Sequence, residues 1–319
     1  MKNKPLQHFP AIIVLIFLAT APFLMPTSQI SLLTKILIFA LLAMSLDVTF
    51  GYSGLWSFCH AAIFGVGAYT NGILIKNYSV TAFWLAAPAG ALMAILVSAI
   101  FGLVALRASG IYFLLITFAL GQLIYSVACK WVTVTRGFDG LGGIPYPDVG
   151  ITFSQTSFYY FTFLVCLICA IAMYCLIQSP FGHSIQGIRE SEKRMRALGY
   201  NTWLHKYLAF VISGLFAGIS GVLYVHFNGL ITPESVGMAA SGLAIIMVII
   251  GGTGTFWGAA IGSAIIFCLE YFVSIFTPER WPLILGVCFV ASVMLARGGI
   301  FLYLKKFWQR VSSDGGFGS

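Results

Sequence analysis

His60 is the side chain in this sequence that invites a chemical interpretation first, because it lies inside an apolar segment. The segment from Gly51 to Leu74, GYSGLWSFCHAAIFGVGAYTNGIL, also contains two tyrosines and several glycines. A histidine in such a position can line a pathway for polar solutes, or it can make structural hydrogen bonds. The sequence by itself leaves both interpretations open.

Motifs for nucleotide hydrolysis, metal binding and nucleophilic catalysis are absent from the sequence. The glycine run from Gly251 to Gly258, GGTGTFWG, lacks the lysine of a phosphate-binding loop, and no H-E-x-x-H or G-x-S-x-G pattern occurs. The seven cysteines lie in or beside apolar segments, and Cys166-x-x-Cys169 has no histidine or second pair nearby. We therefore expect no catalytic residue, no metal and no disulfide, and any pumping must be driven by another protein.

The composition indicates that this chain lies in a membrane. Hydrophobic residues make up 60% of it and charged residues 8%, with a mean hydropathy of +0.97. A soluble domain has about 25% charged residues, so the sequence predicts an all-α polytopic membrane protein. The net charge of +8 is expected for a membrane protein, because Lys and Arg gather in cytoplasmic loops. Nucleic-acid binding is not indicated, since no basic run is interleaved with aromatic residues.

About ten apolar segments can serve as spans, and we expect them to form a single transmembrane permease domain over residues 1–319. Ser241–Ile250 is short enough to be broken or partly re-entrant. The N-terminal segment resembles a secretory signal, but Pro22 would follow the cleavage site, so an uncleaved first span is expected. The predicted spans are Pro10–Met25, Leu32–Phe50, Leu55–Ile75, Phe83–Leu106, Ile111–Lys130, Ser157–Ile177, Tyr207–Phe227, Ser241–Ile250, Ala259–Phe276 and Pro282–Ala296.

The distribution of charge predicts the orientation. The loop 179–206 has an excess of basic residues, whereas the loop 131–156 has Arg136 against Asp139 and Asp148. Basic loops stay in the cytoplasm, so we expect loop 179–206 and the tails 1–8 and 303–319 to be cytoplasmic and loop 131–156 to be periplasmic.

Glycines and isolated charges recur at particular places in the spans. The stretches Gly51-Tyr-Ser-Gly54 and Gly251-Gly-Thr-Gly254 resemble each other, as in an internal repeat, although glycine turns are common. We expect Asp47 to bind N–H groups of the glycine-rich stretch that follows it, and Lys35 either to pair with Glu270 or to reach the membrane surface alone. The glycines expected to serve gating or close packing are Gly51, Gly54, Gly65, Gly67, Gly251 and Gly254.

The loop sequence from Ser184 to Gly199, SIQGIRESEKRMRALG, predicts one amphipathic helix. Its apolar side chains share a face, and Gly199 is suited to terminate it. Such a helix can lie on lipid or dock into another protein, and docking fits better because Glu192 interrupts the apolar stripe. The residues expected at the docking surface are Ile185, Ile188, Arg189, Glu190, Met195 and Gly199.

Four stretches together resemble the permeases of branched-chain amino acid ABC importers, in particular the LivM-like half of the LivH/LivM family. They cover much of the region from Leu42 to Arg297. The stretches are Gly51-Tyr-Ser-Gly54 through His60 to Tyr69; Leu106-Arg-Ala-Ser-Gly-Ile-Tyr-Phe113 with Thr117-Phe-Ala-Leu-Gly-Gln122; Gly137-Phe-Asp-Gly-Leu-Gly-Gly-Ile-Pro145; and Ile188-Arg-Glu-Ser191 with Ala197-Leu-Gly199 and Lys206-Tyr-Leu-Ala-Phe210. The chain departs from the family at Asp47, where Asn is usual, and at Cys59, where Gly is usual.

The resemblance implies a bacterial inner-membrane permease that imports Leu, Ile, Val and related neutral amino acids. It implies a second, LivH-like permease subunit, two cytoplasmic ATPase subunits that bind ATP and Mg²⁺, and a periplasmic substrate-binding protein. The chain itself then carries no cofactor. Urea or short amides are alternative substrates within the family. A channel or an ion-coupled carrier is an alternative class of protein, and a carrier would need paired intramembrane carboxylates.

Polar residues inside two of the predicted spans are candidates for the translocation path or for the interface with the partner permease, because polar side chains avoid lipid. The alternative is hydrogen bonding between helices of this chain. The candidates are Ser57, His60, Tyr69, Thr117, Gly121 and Gln122.

Overall fold

The computed structural model describes residues 18–22, 25–78, 82–147, 154–276, 281–295 and 299. The predicted first span Pro10–Met25 lies mostly outside these ranges, as do both predicted tails and residues 148–153 of the predicted periplasmic loop.

The described chain is a succession of helices. Short elements connect them: a π-helical turn Val48–Tyr52, a helical turn Val132–Thr135, 3₁₀ turns Gly137–Asp139 and Pro233–Val236, and two strands, β1 Leu141–Gly142 and β2 Leu230–Ile231. The helices are α1 Thr27–Asp47, α2 His60–Tyr78, α3 Phe83–Ala105, α4 Ile111–Lys130, α5 Gln155–Gln178, α6 Pro180–Glu190, α7 Glu192–Ala197, α8 Thr202–Asn228, α9 Met238–Gly251, α10 Phe256–Phe276 and α11 Trp281–Leu295.

Six helices within the described ranges are long and apolar enough to cross a membrane, namely α1 with its π-helical extension, α3, α4, α5, α8 and α10. The protein is therefore an all-α polytopic membrane protein. Helix α9 is apolar but has only 14 residues, fewer than the roughly 20 that a full crossing needs.

The prediction of a helix from Leu55 to Ile75 is wrong at its start, because α2 begins at His60. The chain leaves α1 through the π-helical turn, and Gly54 adopts a φ of 73°, a left-handed conformation that favours glycine. The segment from Leu55 to Cys59 is non-helical, and the Phe58 N–H donates to Thr117 Oγ1 on α4 at 3.2 Å. A side chain from a neighbouring span thus takes the place of an intrahelical acceptor.

Helix α8 lies at the centre of the bundle, against α1, α2 and α3. Small residues allow this close packing: a methyl group added at Gly67 would lie 2.5 Å from the Gly218 carbonyl oxygen, and one at Gly218 would overlap Ala94. Gly65 lies similarly close to Val236. Of the two roles expected for Gly65 and Gly67, the geometry supports close packing.

An ion pair joins α1 to α10. Lys35 Nζ lies 3.0 Å from Glu270 Oε2 and 4.5 Å from the centre of the Phe267 ring. Of the two expectations for Lys35, the structure confirms the pairing with Glu270. Since each charge partners the other, the two residues can lie within apolar helices.

The bundle has two ends, separated by α8, whose 27 residues span about 40 Å. At one end, the α8 residue Thr202 hydrogen-bonds Glu192 of α7 at 3.0 Å. At the other end, β2 pairs antiparallel with β1, so that Leu141 lies opposite Ile231. The described parts of the loops 131–156 and 179–206 therefore lie at opposite ends of α8.

Candidate functional site at the junction of two glycine turns

The two similar glycine stretches meet in the folded protein. The first follows α1, and the second joins α9 to α10, with Gly254 at a φ of 73°, the same value as Gly54. Their backbones approach so closely that a methyl group added at Gly51 would overlap the Gly254 nitrogen and the Asp47 carboxylate. A contact this close requires glycine at position 51.

Asp47, the last residue of α1, connects these turns. Its Oδ1 accepts the Gly254 N–H at 2.8 Å, and its side chain is fully buried. The prediction that Asp47 binds the glycine stretch directly after it is therefore corrected, because the carboxylate binds the second stretch. Oδ2 of Asp47 has no hydrogen-bond partner among the described residues.

Tyr52 makes a second connection of the same kind. Its hydroxyl oxygen accepts the N–H of Phe256, the first residue of α10, at 3.1 Å. The first N–H groups of a helix have no partner within the helix, so Tyr52 satisfies one of them. The first glycine turn thus provides two side-chain acceptors for the backbone of the second.

Arg189 brings the loop between the spans into this junction. Its guanidinium Nη1 donates to the carbonyl oxygen of Gly51. A methyl group at Gly54 would lie 3.1 Å from Arg189 Cγ, and one at Gly254 would lie 2.9 Å from Nη1. One arginine on α6 therefore contacts both glycine turns. A charged donor strengthens its hydrogen bond to the Gly51 carbonyl.

The loop helix is in fact two helices, so the prediction of one helix over Ser184–Gly199 is wrong. Ser179 caps α6, where Pro180 occupies the first turn, and Ser191 caps α7 by accepting the Arg194 N–H at 3.4 Å. Ser191 has extended backbone angles, as N-cap residues have, so it ends one helix and begins the next.

Ile185 and Ile188 do not form a free docking face. They are 1% and 2% exposed, and Ile185 belongs to the protein's own core cluster. Met195, on the next helix, lies with its Sδ 2.9 Å from the position of a methyl group built on Gly187. The expectation that Ile185 and Ile188 occupy a groove in another protein is corrected, because they hold α6 against the permease itself. The docking role of Met195, which is partly exposed, stays a prediction.

The other predicted loop residues are at the surface or in the turn after α7. Glu190 is exposed. Gly199 ends α7 in the left-handed conformation, with φ 87°, as predicted. Its N–H donates to Arg196 O and the Tyr200 N–H donates to Met195 O, the paired bonds of a Schellman turn. This turn directs the chain back toward α8.

Glu192 fixes α7 to the start of α8. Its carboxylate lies 2.6 Å from Arg196 Nη2 and 2.5 Å from Lys206 Nζ, and it accepts the Thr202 hydroxyl at 3.0 Å. Partial burial opposes the ionisation of Glu192, but the hydrogen bond and charge of Lys206, with Thr202 and Arg196, outweigh it and lower its pKa. Arg189 thus fixes α6 to the glycine turns, and Glu192 fixes α7 to α8.

His60 is a hydrogen-bonded buried residue with 1% exposure. Its Nδ1 lies 3.1 Å from Ser57 Oγ and its Nε2 lies 2.7 Å from Ser213 Oγ on α8. The Ser213 hydroxyl donates in turn to the Ser45 carbonyl oxygen on α1 at 2.5 Å. Of the two interpretations of His60, this geometry supports the structural one, since the ring joins three elements of one chain.

The predicted set of polar residues divides into two groups. Ser57, His60, Thr117 and Gly121 surround the non-helical segment before α2, and a methyl group at Gly121 would lie 3.3 Å from the Phe58 carbonyl oxygen. Tyr69 and Gln122 do not join them. The Tyr69 hydroxyl is buried without a hydrogen-bond partner in the described part of the chain, and Gln122 is partly exposed on α4.

Sequence reasoning missed Tyr52 and Ser213. Ser213 precedes Gly214 inside an apolar helix, and a hydroxyl at such a position needs a partner, so it could have been selected as a buried donor. Tyr52 carries no comparable signal, because a tyrosine beside a glycine turn can equally face the membrane surface.

The apolar spans, the buried polar contacts between them and the loop helices fixed at one end define an all-α polytopic membrane protein. The chain belongs to the family described as the branched-chain amino acid transport system permease component, which matches residues 28–294.

Individual relatives agree with this family. The chain is 29% identical over 270 residues to the high-affinity branched-chain amino acid transport system permease protein LivM of Escherichia coli K12, covering 76% of this chain and 63% of the relative. It therefore spans less than two thirds of the LivM proteins it matches. It is also 26% identical over 278 residues to LivH of Salmonella typhimurium, with 81% and 88% of the two chains covered.

A shorter stretch of the chain is similar to a transporter named for another substrate. The guanosine ABC transporter permease protein NupQ of Bacillus subtilis is 34% identical over 85 residues, which is 27% of this chain and 26% of NupQ. No solved structure matches the chain.

Proposed function

We propose that this protein is the transmembrane permease subunit of an ATP-driven importer that moves branched-chain and related neutral amino acids across the bacterial inner membrane. Family membership and the likeness to LivM support the cargo. The single observation that carries the mechanism is the bond from Arg189 to the Gly51 carbonyl oxygen. Through it, a loop helix outside the spans is joined to the end of α1 and, through Asp47, to the start of α10.

The energy in this proposal comes from partners. The sequence lacks a phosphate-binding lysine motif, so two cytoplasmic ATPase subunits would bind ATP and Mg²⁺. A LivH-like permease would complete the membrane unit, and a periplasmic binding protein would deliver the amino acid. The likeness of this chain to both LivM and LivH supports pairing of two related subunits.

The orientation follows from charge. Basic loops remain in the cytoplasm, so the end of the bundle with α6 and α7 faces the cytoplasm and the end with β1 and β2 faces the periplasm. About ten spans with both chain ends in the cytoplasm are consistent with this arrangement.

The ATPase docking surface in this proposal lies at the turn after α7. Ile185 and Ile188 are buried inside the permease, whereas Leu198 is 72% exposed and Tyr200, close to it in the chain, is exposed as well. An apolar side chain on an exposed, well-anchored turn is suited to insert into a partner's groove. Movement of the ATPase would then reach Arg189 through α7 and α6.

The test is to purify the permease in mild detergent from a host that expresses the four other subunits, and to reconstitute it in liposomes. We expect the ATPase subunits to copurify and ATP-dependent uptake of labelled leucine to require the binding protein. Uptake driven by an ion gradient without ATPase subunits would replace the proposal with a secondary carrier. Urea, acetamide and guanosine, supplied as competitors, test the other substrates.

A further inference from the structure

A cavity of about 300 Å³ lies between α1, α2, α8 and α9, and it is separate from the junction described above. Its apolar wall is formed by Phe39, Leu42, Phe64 and Leu243. The volume is at the lower end of the range of about 300–1,000 Å³ for small-molecule sites, so it suits a small cargo.

The apolar wall is preformed by packed aromatic rings. The Phe39 and Phe64 ring centres lie 5.9 Å apart, and Tyr224 lies 5.7 Å from Phe39 and 5.2 Å from Phe64. Because the three rings hold one another, the wall does not depend on a ligand for its shape.

The polar side of the cavity is formed by the 3₁₀ turn before α9, and its lining includes Glu234. The turn is held in place by Val236, which is buried against Gly65 of α2, and Ser235 Oγ lies 3.4 Å from the Tyr224 hydroxyl. Glu234 itself is exposed and forms no ion pair with any lysine or arginine in the described ranges. An acidic residue without a cationic partner in these ranges therefore lines a cavity that has an apolar wall.

The location of the cavity suits an entry site. Glu234 lies three residues after the end of β2, so it is at the end of α8 opposite Arg189 and the loop helices. In the proposed orientation this end faces the periplasm, from which the cargo arrives.

We propose that this cavity is a transient cargo site in which Glu234 binds a cationic ammonium group and the Phe39–Phe64 wall contacts an apolar side chain. A carboxylate forms a charge-assisted hydrogen bond with an ammonium group, and it offers no such bond to urea, amides or neutral nucleosides. The ligand class is thus small amino acids with apolar side chains, which deepens the function proposed above and rests on it.

A site-directed labelling experiment tests the cavity directly. In the complete reconstituted transporter, Leu243→Cys is labelled by a small thiol reagent, and modification of this cysteine is followed by mass spectrometry. Leucine should protect it, whereas 4-methylpentanoate, which has the same apolar body without the ammonium group, should not. In the Leu243→Cys background, Glu234→Gln should raise the leucine concentration for half-protection about tenfold or more.

A matched control separates this site from general surface charge. Asp139 is also exposed at the same end of the bundle but does not border the cavity, so Asp139→Asn should leave protection and uptake unchanged. Equal protection by leucine and 4-methylpentanoate, or unchanged protection in Glu234→Gln, would overturn the inference.

The outcomes distinguish the inference from the proposed function. If the unsubstituted transporter imports leucine but Glu234→Gln imports it normally, the cargo site is wrong and the function stands. If the unsubstituted transporter imports no amino acid, the function fails. If Glu234→Gln weakens docking of the binding protein as strongly as it lowers uptake, Glu234 is a docking residue and the cargo site is wrong.

Discussion

The carboxylate of Asp47 accepts the backbone N–H of Gly254 at 2.8 Å, across 207 residues of sequence. This bond joins the end of α1 to the turn before α10. Arg189 contacts the same two turns from α6, so three distant parts of the chain meet at one end of the bundle.

Replacing Asp47 tests the bond between the turns. Asp47→Ala leaves the partly buried Gly254 N–H without its acceptor, which costs about 1–3 kcal/mol, whereas Asp47→Asn retains a carbonyl acceptor. We expect the thermal unfolding temperature in detergent to fall for Asp47→Ala and to change much less for Asp47→Asn. Equal unfolding temperatures for the two variants would show that this hydrogen bond does not stabilise the junction.

Replacing Arg189 tests the transmission of movement. A charge-assisted bond is worth about 1.5–3 kcal/mol, so Arg189→Ala should lower uptake per ATP hydrolysed about tenfold or more. ATP hydrolysis by the assembled complex should be less affected than uptake. Arg194→Ala is the control, because Arg194 is exposed on α7. A parallel loss of uptake and hydrolysis in Arg189→Ala would argue for a purely assembly-related role.

Because α2 and α8 pack closely, we expect alanine substitutions at two glycines to have different effects on stability. A methyl group at Gly67 would lie 2.5 Å from the Gly218 carbonyl oxygen, whereas one at Gly242 has no neighbour within 4 Å. We expect Gly67→Ala to destabilise the protein by about 1–3 kcal/mol. Gly242→Ala should be neutral or stabilising by up to about 1 kcal/mol, since alanine favours the helix. Thermal unfolding in detergent measures both, and equal effects would contradict the close contact.

Two substitutions in the loop separate docking from internal packing. Leu198→Asp changes an exposed side chain, so the unfolding temperature of the permease should stay the same while copurification of the ATPase subunits falls about tenfold or more. Ile188→Asp places a charge in the protein's own interior and should lower the unfolding temperature of the isolated permease. If Ile188→Asp lost the ATPase subunits without lowering the unfolding temperature, Ile188 would belong to the docking surface after all.

Thiol labelling tests the orientation of the two ends. Asp139→Cys and Lys193→Cys place cysteines at exposed positions beside opposite ends of α8. In intact cells an impermeant thiol reagent should modify the cysteine at position 139, whereas the cysteine at position 193 should react only after lysis. The reverse pattern would invert the proposed topology.

The sequence was sufficient to predict the class of protein because hydropathy is a property of composition and length. Continuous apolar runs predict membrane helices without knowledge of their neighbours. The helix-ending role of Gly199 was also predictable, since a left-handed residue after a short helix favours glycine wherever that helix lies. The likeness of the two glycine stretches was visible as well.

Only the tertiary structure decided which residues face one another. The sequence left open whether Lys35 pairs with Glu270 or reaches the membrane surface alone, and it left two interpretations of His60. The packing of α1, α8 and α10 placed Glu270 beside Lys35 and Ser213 beside His60. The tertiary structure also reversed the expected role of Ile188. The sequence could not decide this role, because an amphipathic helix has the same pattern whether its apolar face packs on the same chain or on another protein. Asp47 contacts Gly254 for a related reason: a buried carboxylate needs a donor, but only the folded chain determines which of two similar turns provides it.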